Sequence, residues 1–142
     1  MSMMQDKRVL VTGAGRGLGA TIAQGFARQG ATVIVADLDP ALARASAQAI
    51  AAEGGRAFDV ALDVTDAEAV RAFAAESASR HGNIDVLVNN AGISARAPFD
   101  DPQTPQIWDR VMSVNLQGTF NVTHAFVEQL KATRGAIVNL CS

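Results

Sequence analysis

The stretch Arg8-Val9-Leu10-Val11-Thr12-Gly13-Ala14-Gly15-Arg16-Gly17-Leu18-Gly19 decides how the chain folds. RVLVT is an apolar run of strand length that stops abruptly at glycines. Leu18, Ile22 and Phe26 then recur at the spacing of one helix face, and Gly30 can end that helix. The expected unit is a buried strand, a tight turn and a helix. Glycines let such a turn fold sharply and let an anion approach the backbone N–H groups at a helix N-terminus, where the dipole favours negative charge. Counted from Gly13, the G-x-G-x-x-G pattern fails at Leu18. Counted from Gly15, it closes with Ala20 and is possible but begins late in the turn. T-G-x-x-x-G-x-G, through Gly13, Gly17 and Gly19, fits without strain. No Gly-Lys-Ser/Thr follows, so the turn is not a P-loop.

The same unit repeats outward from this point. Residues 32–36 (TVIVA) read as a second strand, and Asp39-Pro40 is an N-cap acceptor with proline at the first helical position. An Ala-rich helix runs from there to about Glu53, where Gly54-Gly55 stop it. Residues 56–64 hold a third strand ending near Leu62. Thr65-Asp66-Ala67-Glu68 has the form of a capping box, and Val70, Phe73 and Ala74 give the next helix an apolar stripe that Gly82 closes. Residues 84–88 (IDVLV) form a fourth strand. Pro98, Pro102 and Pro105 mark an irregular loop over residues 93–106. A long helix is expected over residues 107–131, opened by the packing of Ile107 and Trp108, and a fifth strand over residues 136–140. Strict alternation with near-continuous apolar strands predicts an α/β fold, a doubly wound parallel sheet covered on both faces. Its ligand is expected at the carboxyl ends of the strands.

Composition agrees with one globular domain over residues 1–142: 49% hydrophobic and 18% charged residues, with a formal net charge of −2. The mild acidity and the lack of a basic run argue against a nucleic-acid partner. No stretch approaches the ~20 apolar residues of a membrane span. The single Cys, Cys141, forms no internal bridge, and no signal-peptide pattern precedes the first strand, so a cytoplasmic protein is expected. His81 sits at a helix end suited to a cation. His124 lies mid-helix, and neither has metal-like spacing, so no metal is expected.

The chemistry-bearing residues cluster at strand ends. Asp37 stands 18 residues beyond Gly19 and can accept hydrogen bonds from both ribose hydroxyls of an adenosine while repelling a 2′-phosphate. As a helix cap it competes poorly with Asp39. Arg16 points the other way, since a guanidinium in the turn can serve a 2′-phosphate. Asp63-Val64 closes the third strand, either as an adenine contact or as a turn ahead of Thr65. Asn89-Asn90-Ala91-Gly92 closes the fourth, as a shelf for a flat ligand or as a structural turn. Asn115 is expected on or beside the apolar stripe of the long helix, where its amide needs partners. Backbone bridging and the holding of a water are both open to it. Ser142 follows the fifth strand.

In this order and spacing, TGAGRGLG (Thr12 to Gly19), Asp37, Asp63-Val64, NNAG (Asn89 to Gly92), VNLQG (Val114 to Gly118) and IVNLCS (Ile137 to Ser142) resemble the classical short-chain dehydrogenase/reductase family. The resemblance covers essentially the whole chain. It implies a Rossmann-type sheet of strand order 3-2-1-4-5 and hydride transfer between a nicotinamide cofactor and an alcohol or ketone. By that resemblance Gly13, Arg16, Gly17, Leu18 and Gly19 surround the pyrophosphate and adenosine end. Asp37 binds the ribose, and Asp63 and Val64 the adenine. Asn90, Ala91 and Gly92 line the nicotinamide half, with Asn89 supporting the sheet. Asn115 matches the Asn that holds a proton-relay water, and Ser142 the Ser that hydrogen-bonds the substrate oxygen. Asp37 favours NAD, and Arg16 leaves NADP open.

One departure is severe. The family's catalytic base is a Tyr, followed by a Lys, on the helix after that Ser, and this sequence contains no Tyr. The 142 residues are therefore expected to be the front portion of a larger domain, incomplete at its C-terminus. The complete protein is expected to be a homo-oligomer. The competing expectation is a non-catalytic dinucleotide-binding fragment. A methyltransferase with a similar glycine turn leaves Asn115 and the NNAG turn without a role.

Overall fold

β1 (Arg8–Thr12) is buried from Val9 to Thr12 and has a parallel neighbour on each side, which is what its unbroken apolar run requires. The computed structural model describes residues 2–141. Around β1 lie β2 (Thr32–Asp37), β3 (Arg56–Ala61), β4 (Val86–Asn89) and β5 (Ala136–Asn139), all parallel, in the order β3-β2-β1-β4-β5. The connecting helices are α1 (Gly17–Arg28), α2 (Pro40–Ala52), α3 (Ala67–His81), α4 (Thr104–Met112) and α5 (Thr119–Thr133), with one π-helical segment, Ser113–Gly118, joining the last two. The direction of the strand order reverses at β1 and β4, and a crevice opens there between the carboxyl ends.

Strand alternation splits the core into two layers. Leu10, Ile34 and Leu87 face Val70 and Phe73 of α3 and Val122 and Phe126 of α5. Val9, Val11, Val33 and Val35 face the small residues Ala23 and Ala27 of α1 and Ala43 and Ala47 of α2. Burying a side chain such as Phe126 contributes about 1.5–3 kcal/mol. At the sheet margin, β5 is exposed along its length, with Ile137 and Val138 among the exposed large apolar side chains.

Several local expectations change. The buried face of α1 is Gly19, Ala23 and Ala27, one residue beyond the expected stripe, and Leu18 is 62% exposed. Small residues win this face because they bring the helix close to the sheet, and a side chain at Gly19 would collide with the Gly13 carbonyl. The expected capping box is absent. Asp66 is the N-cap of α3, accepting from the N–H groups of Glu68 and Ala69, while the Thr65 hydroxyl is drawn back to Asp63. The long helix starts at Thr104 rather than Ile107, with Pro105 in its first turn, and continues to Thr133 through the π-helical segment. Trp108 does not pack its start but is 64% exposed. β4 begins at Val86 rather than Ile84, whose N–H donates to the Gln129 side chain and whose carbonyl accepts from Thr133 Oγ1; backbone bonding to β1 and β5 starts only at Asp85. His81 closes α3 with its ring stacked on Phe58 at 4.2 Å, and exposed His124 stacks on Phe120 at 5.5 Å.

Candidate functional site

The glycine turn is held by its neighbours' backbone. Ala14 N–H donates to the Ala36 carbonyl at 2.9 Å, and Gly15 N–H donates to Asp37 Oδ2 at 2.8 Å. Asp37 Oδ1 accepts from the N–H of Asp39 at 3.0 Å. One carboxylate thus ties the turn after β1 to the lead-in of α2. Each oxygen keeps a lone pair, because a carboxylate offers about four acceptor sites. Gly13 adopts φ +61° and Gly17 φ +57°, the left-handed region that glycine enters without cost.

Helix α1 begins at this turn without a cap. Arg16 is its N-cap residue and gives no side-chain hydrogen bond, and the first turn carries no acid. Its first intrahelical donor is Ala20, bonded to the Arg16 carbonyl at 3.3 Å. The N–H groups of Gly17, Leu18 and Gly19 are therefore left to the cleft, whereas α2 and α3 are capped by Asp39 and Asp66. The chemistry of these unsatisfied donors and the helix dipole suits a phosphate.

Across the crevice, Thr12 and Asn90 join β1 to the end of β4. The Thr12 hydroxyl accepts from the N–H groups of Asn90 and Ala91 at 3.1 and 3.0 Å. Asn90 Nδ2 donates to the carbonyls of Thr12 and Gly13 at 3.1 and 3.0 Å. Asn89 turns the other way, buried, and its Nδ2 donates to Thr123 Oγ1 and Asn139 Oδ1. It supports the sheet. At the end of β3, Asp63 Oδ1 accepts from Thr65 N–H and Oγ1 at 2.9 and 2.7 Å. Asn115 lies in the π-helical segment, exposed rather than buried as expected, and its side chain bridges to the backbone of Ile93. Its Oδ1 accepts from Ile93 N–H and its Nδ2 donates to the Ile93 carbonyl.

These pieces enclose a cleft of about 650 Å³. Every residue expected at the cofactor lines it: Gly13, Arg16, Gly17, Leu18, Gly19, Asp37, Asp63, Val64, Asn90, Ala91 and Gly92. Asn115 is not in the lining but bonds Ile93, which is. Ser142 lies outside the described residues, and Cys141 before it is exposed. Sequence reasoning missed Thr12, Gly15, Leu38 and Leu42 as members of the site. Thr12 and Gly15 had a visible signal, since both belong to the glycine turn. Leu38 and Leu42 had none, because a leucine around a helix start gives no sequence sign of a ligand.

A parallel sheet in the order 3-2-1-4-5, covered on both faces and carrying an uncapped glycine turn at its switch point, is a Rossmann-type fold. The chain belongs to the short chain dehydrogenase family, whose model matches residues 7–142. It is 47% identical over 139 residues to Probable oxidoreductase EphD of Mycobacterium tuberculosis, covering 96% of this chain and 23% of that protein. It is 40% identical to D-threitol dehydrogenase of Mycolicibacterium smegmatis, covering 98% of this chain and 54% of the relative. Among solved structures, a gluconate 5-dehydrogenase from Burkholderia cenocepacia in complex with NADP and tartrate superposes with a TM-score of 0.90 at 42% identity, covering 97% of this chain and 54% of that one. The chain thus spans under a quarter of the first relative and about half of the other two.

Proposed function

We propose that this chain supplies the dinucleotide-binding half of an oxidoreductase that moves hydride between a nicotinamide cofactor and a small alcohol or ketone. The observation that carries the reading is the cleft itself, where an uncapped helix N-terminus, a strand-end carboxylate and the NNAG turn meet around one volume. The N–H groups of Gly17, Leu18 and Gly19 would hold the pyrophosphate. Asp37 would accept the ribose hydroxyls, with its position already fixed by Gly15 and Asp39. Val64 would pack on the adenine, with the Asp63 carboxylate at its edge. Ala91, held by the Thr12 hydroxyl, and Gly92, next to the Ile93 backbone that Asn115 bonds, are small and would leave room for the nicotinamide ring. When bound, the cofactor supplies the hydride donor or acceptor. The protein's part is to bind, orient and exclude water.

Asn115 would keep the Ile93 segment in place beside the reacting ring, and Ser142 would hydrogen-bond the substrate oxygen. Asp37 favours NAD, because its charge opposes a 2′-phosphate. Arg16, which also lines the cleft, favours NADP in the same place, and the Burkholderia relative holds NADP. The carboxylate prevails in our reading because two backbone donors fix it, whereas no ion pair or hydrogen bond fixes the Arg16 side chain among the described residues. No described helix is long and apolar enough to cross a membrane, and a cytoplasmic homo-oligomer acting on a small molecule remains the proposed setting.

Calorimetric titration with NAD and NADP tests the reading directly. Binding of NAD about tenfold or more tighter than NADP is the expected result. Failure to bind either dinucleotide, or ADP-ribose, sinks it. Turnover of an alcohol panel by the full-length protein then separates an enzyme from a binding module.

A further inference from the structure

Asn121 is 7% exposed in the face of α5 that meets the end of β3. Its Nδ2 donates to the Val64 carbonyl at 3.0 Å, a bond buried from solvent, and reaches toward the Thr65 carbonyl at 3.5 Å. Its Oδ1 accepts from Gln117 Nε2 at 3.0 Å, which fixes the amide with its nitrogen toward β3. Gly118, one turn earlier, is buried against the Val64 side chain, and a Cβ there would strike it. The missing side chain at Gly118 permits the approach, and Asn121 supplies the bond. Among the described residues no other donor is seen on the Val64 carbonyl.

The helical line from Thr104 to Thr133 therefore holds both walls of the cleft. Asn115 grips Ile93 on one side and Asn121 grips Val64 on the other, with the π-helical segment ending between them. We infer that Asn121 is a positioning residue for the adenine side of this cleft. It fixes the Asp63–Val64 turn at the height that lets a base lie on Val64, and so it sets affinity for the adenosine half of the ligand without touching it. This inference rests on the nucleotide reading given above. A polar residue at this point of α5 has a plain structural alternative, in which it serves only to satisfy one buried carbonyl, and the two make different predictions.

The test uses the full-length protein and two probes, ADP-ribose for the adenosine half and nicotinamide mononucleotide for the other. Asn121→Leu leaves the Asp63–Val64 turn unfixed, so that only about a tenth of the molecules hold it in the binding position, and is expected to weaken ADP-ribose about tenfold. Affinity for nicotinamide mononucleotide is expected to stay within about twofold. Equal loss of both probes, or loss of neither, overturns the inference. Gln117→Ala, at an exposed site, frees the Asn121 amide to turn and is expected to weaken ADP-ribose alone, about twofold to threefold. Should Asn121→Leu fail to fold, an unchanged ADP-ribose affinity in Gln117→Ala overturns the inference. A parent protein that binds no ADP-ribose defeats the nucleotide reading and this inference together. Binding by the parent with unchanged affinity in both variants defeats this inference alone.

Discussion

Asn115 holds the backbone of Ile93 with both ends of its amide, accepting its N–H at 2.8 Å and donating to its carbonyl at 2.9 Å. A side chain on a helix thereby completes a two-bond ladder with a segment that has no regular structure of its own. The segment over residues 93–103 otherwise depends on turns at Pro98 and Asp101. Asn115→Leu is expected to cost about 1–2 kcal/mol in urea denaturation, one modest net bond at each end of an exposed amide. The sharper readout is hydrogen exchange. Protection of the Ile93 amide should fall well before that of β1 or β4. Asn115→Asp keeps the acceptor and loses the donor, so it should retain protection at Ile93 N–H.

Two glycines of the turn make opposite demands. Gly17 has φ +57° but open space where a Cβ would stand, so Gly17→Ala carries only the left-handed backbone penalty, about 1–2 kcal/mol. Gly19 lies in helical backbone, and a Cβ there meets the Gly13 carbonyl and the Asn90 amide. Gly19→Ala must push α1 away from the turn and displace Asn90, whose Nδ2 bonds Thr12 and Gly13. Its expected effect is loss of dinucleotide affinity by about a hundredfold, equivalent to about 2.8 kcal/mol, beside an overpacking cost to stability of about 1–3 kcal/mol. Thermal melts beside calorimetric titrations separate the two quantities. Comparable affinities in the two alanine variants would falsify this account of the turn.

Asp37 bonds two backbone N–H groups, and under the proposed function its charge also selects the cofactor. Asp37→Asn keeps an acceptor for either Gly15 or Asp39, but not both in the same manner, since its amide nitrogen cannot accept. A stability loss of about 1 kcal/mol is expected. Removing the charge also ends the repulsion of a 2′-phosphate and leaves Arg16 as the charged side chain of the glycine turn. The ratio of NAD to NADP affinity should fall about tenfold or more. Because both ligands are measured on one variant, a general loosening of the turn cancels from that ratio.

The strands and the glycine turn were legible because their signals are local. RVLVT and TVIVA are continuous apolar runs, and Gly13 and Gly17 sit where a positive φ is needed. Asp39 before Pro40 was equally plain. What could not be read were features that depend on distance across the sheet. The slip of the buried face of α1 from Leu18 to Gly19 follows from how closely the helix approaches the glycine turn, which periodicity does not measure. The π-helical segment shifts the helix phase by a fraction of a turn, so a rule of period 3.6 misplaces Asn115 as buried. Asn121 and Gln129 escape for a related reason. An amide in a helix reads as surface, and only the partner on another element reveals it as core.

Gln129 offers the most exacting check on that point. It is buried near the amino-terminal end of the sheet, where its Oε1 accepts from Ile84 N–H at 3.1 Å and its Nε2 donates to the Ala74 carbonyl at 2.8 Å. One amide thus joins α5 to α3 and to the approach to β4. Gln129→Leu preserves volume but orphans a donor and an acceptor, each at about 1–3 kcal/mol, so a loss of roughly 2–4 kcal/mol is expected. Gln129→Glu tests the same geometry through pH. Its protonated carboxyl can accept from Ile84 and donate to Ala74, as the amide does, whereas its carboxylate would face the Ala74 carbonyl without a proton. Burial and that repulsion raise the folded-state pKa of the new Glu above its unfolded value of about 4.3. A raised folded pKa contributes stability that is fully present below the unfolded value and is lost as pH rises through the folded one. Relative to the parent, Gln129→Glu should therefore be nearly as stable near pH 4 and markedly less stable at pH 8. Urea midpoints across that range measure it, and a difference independent of pH would mean that the side chain does not lie between the two carbonyl and amide partners.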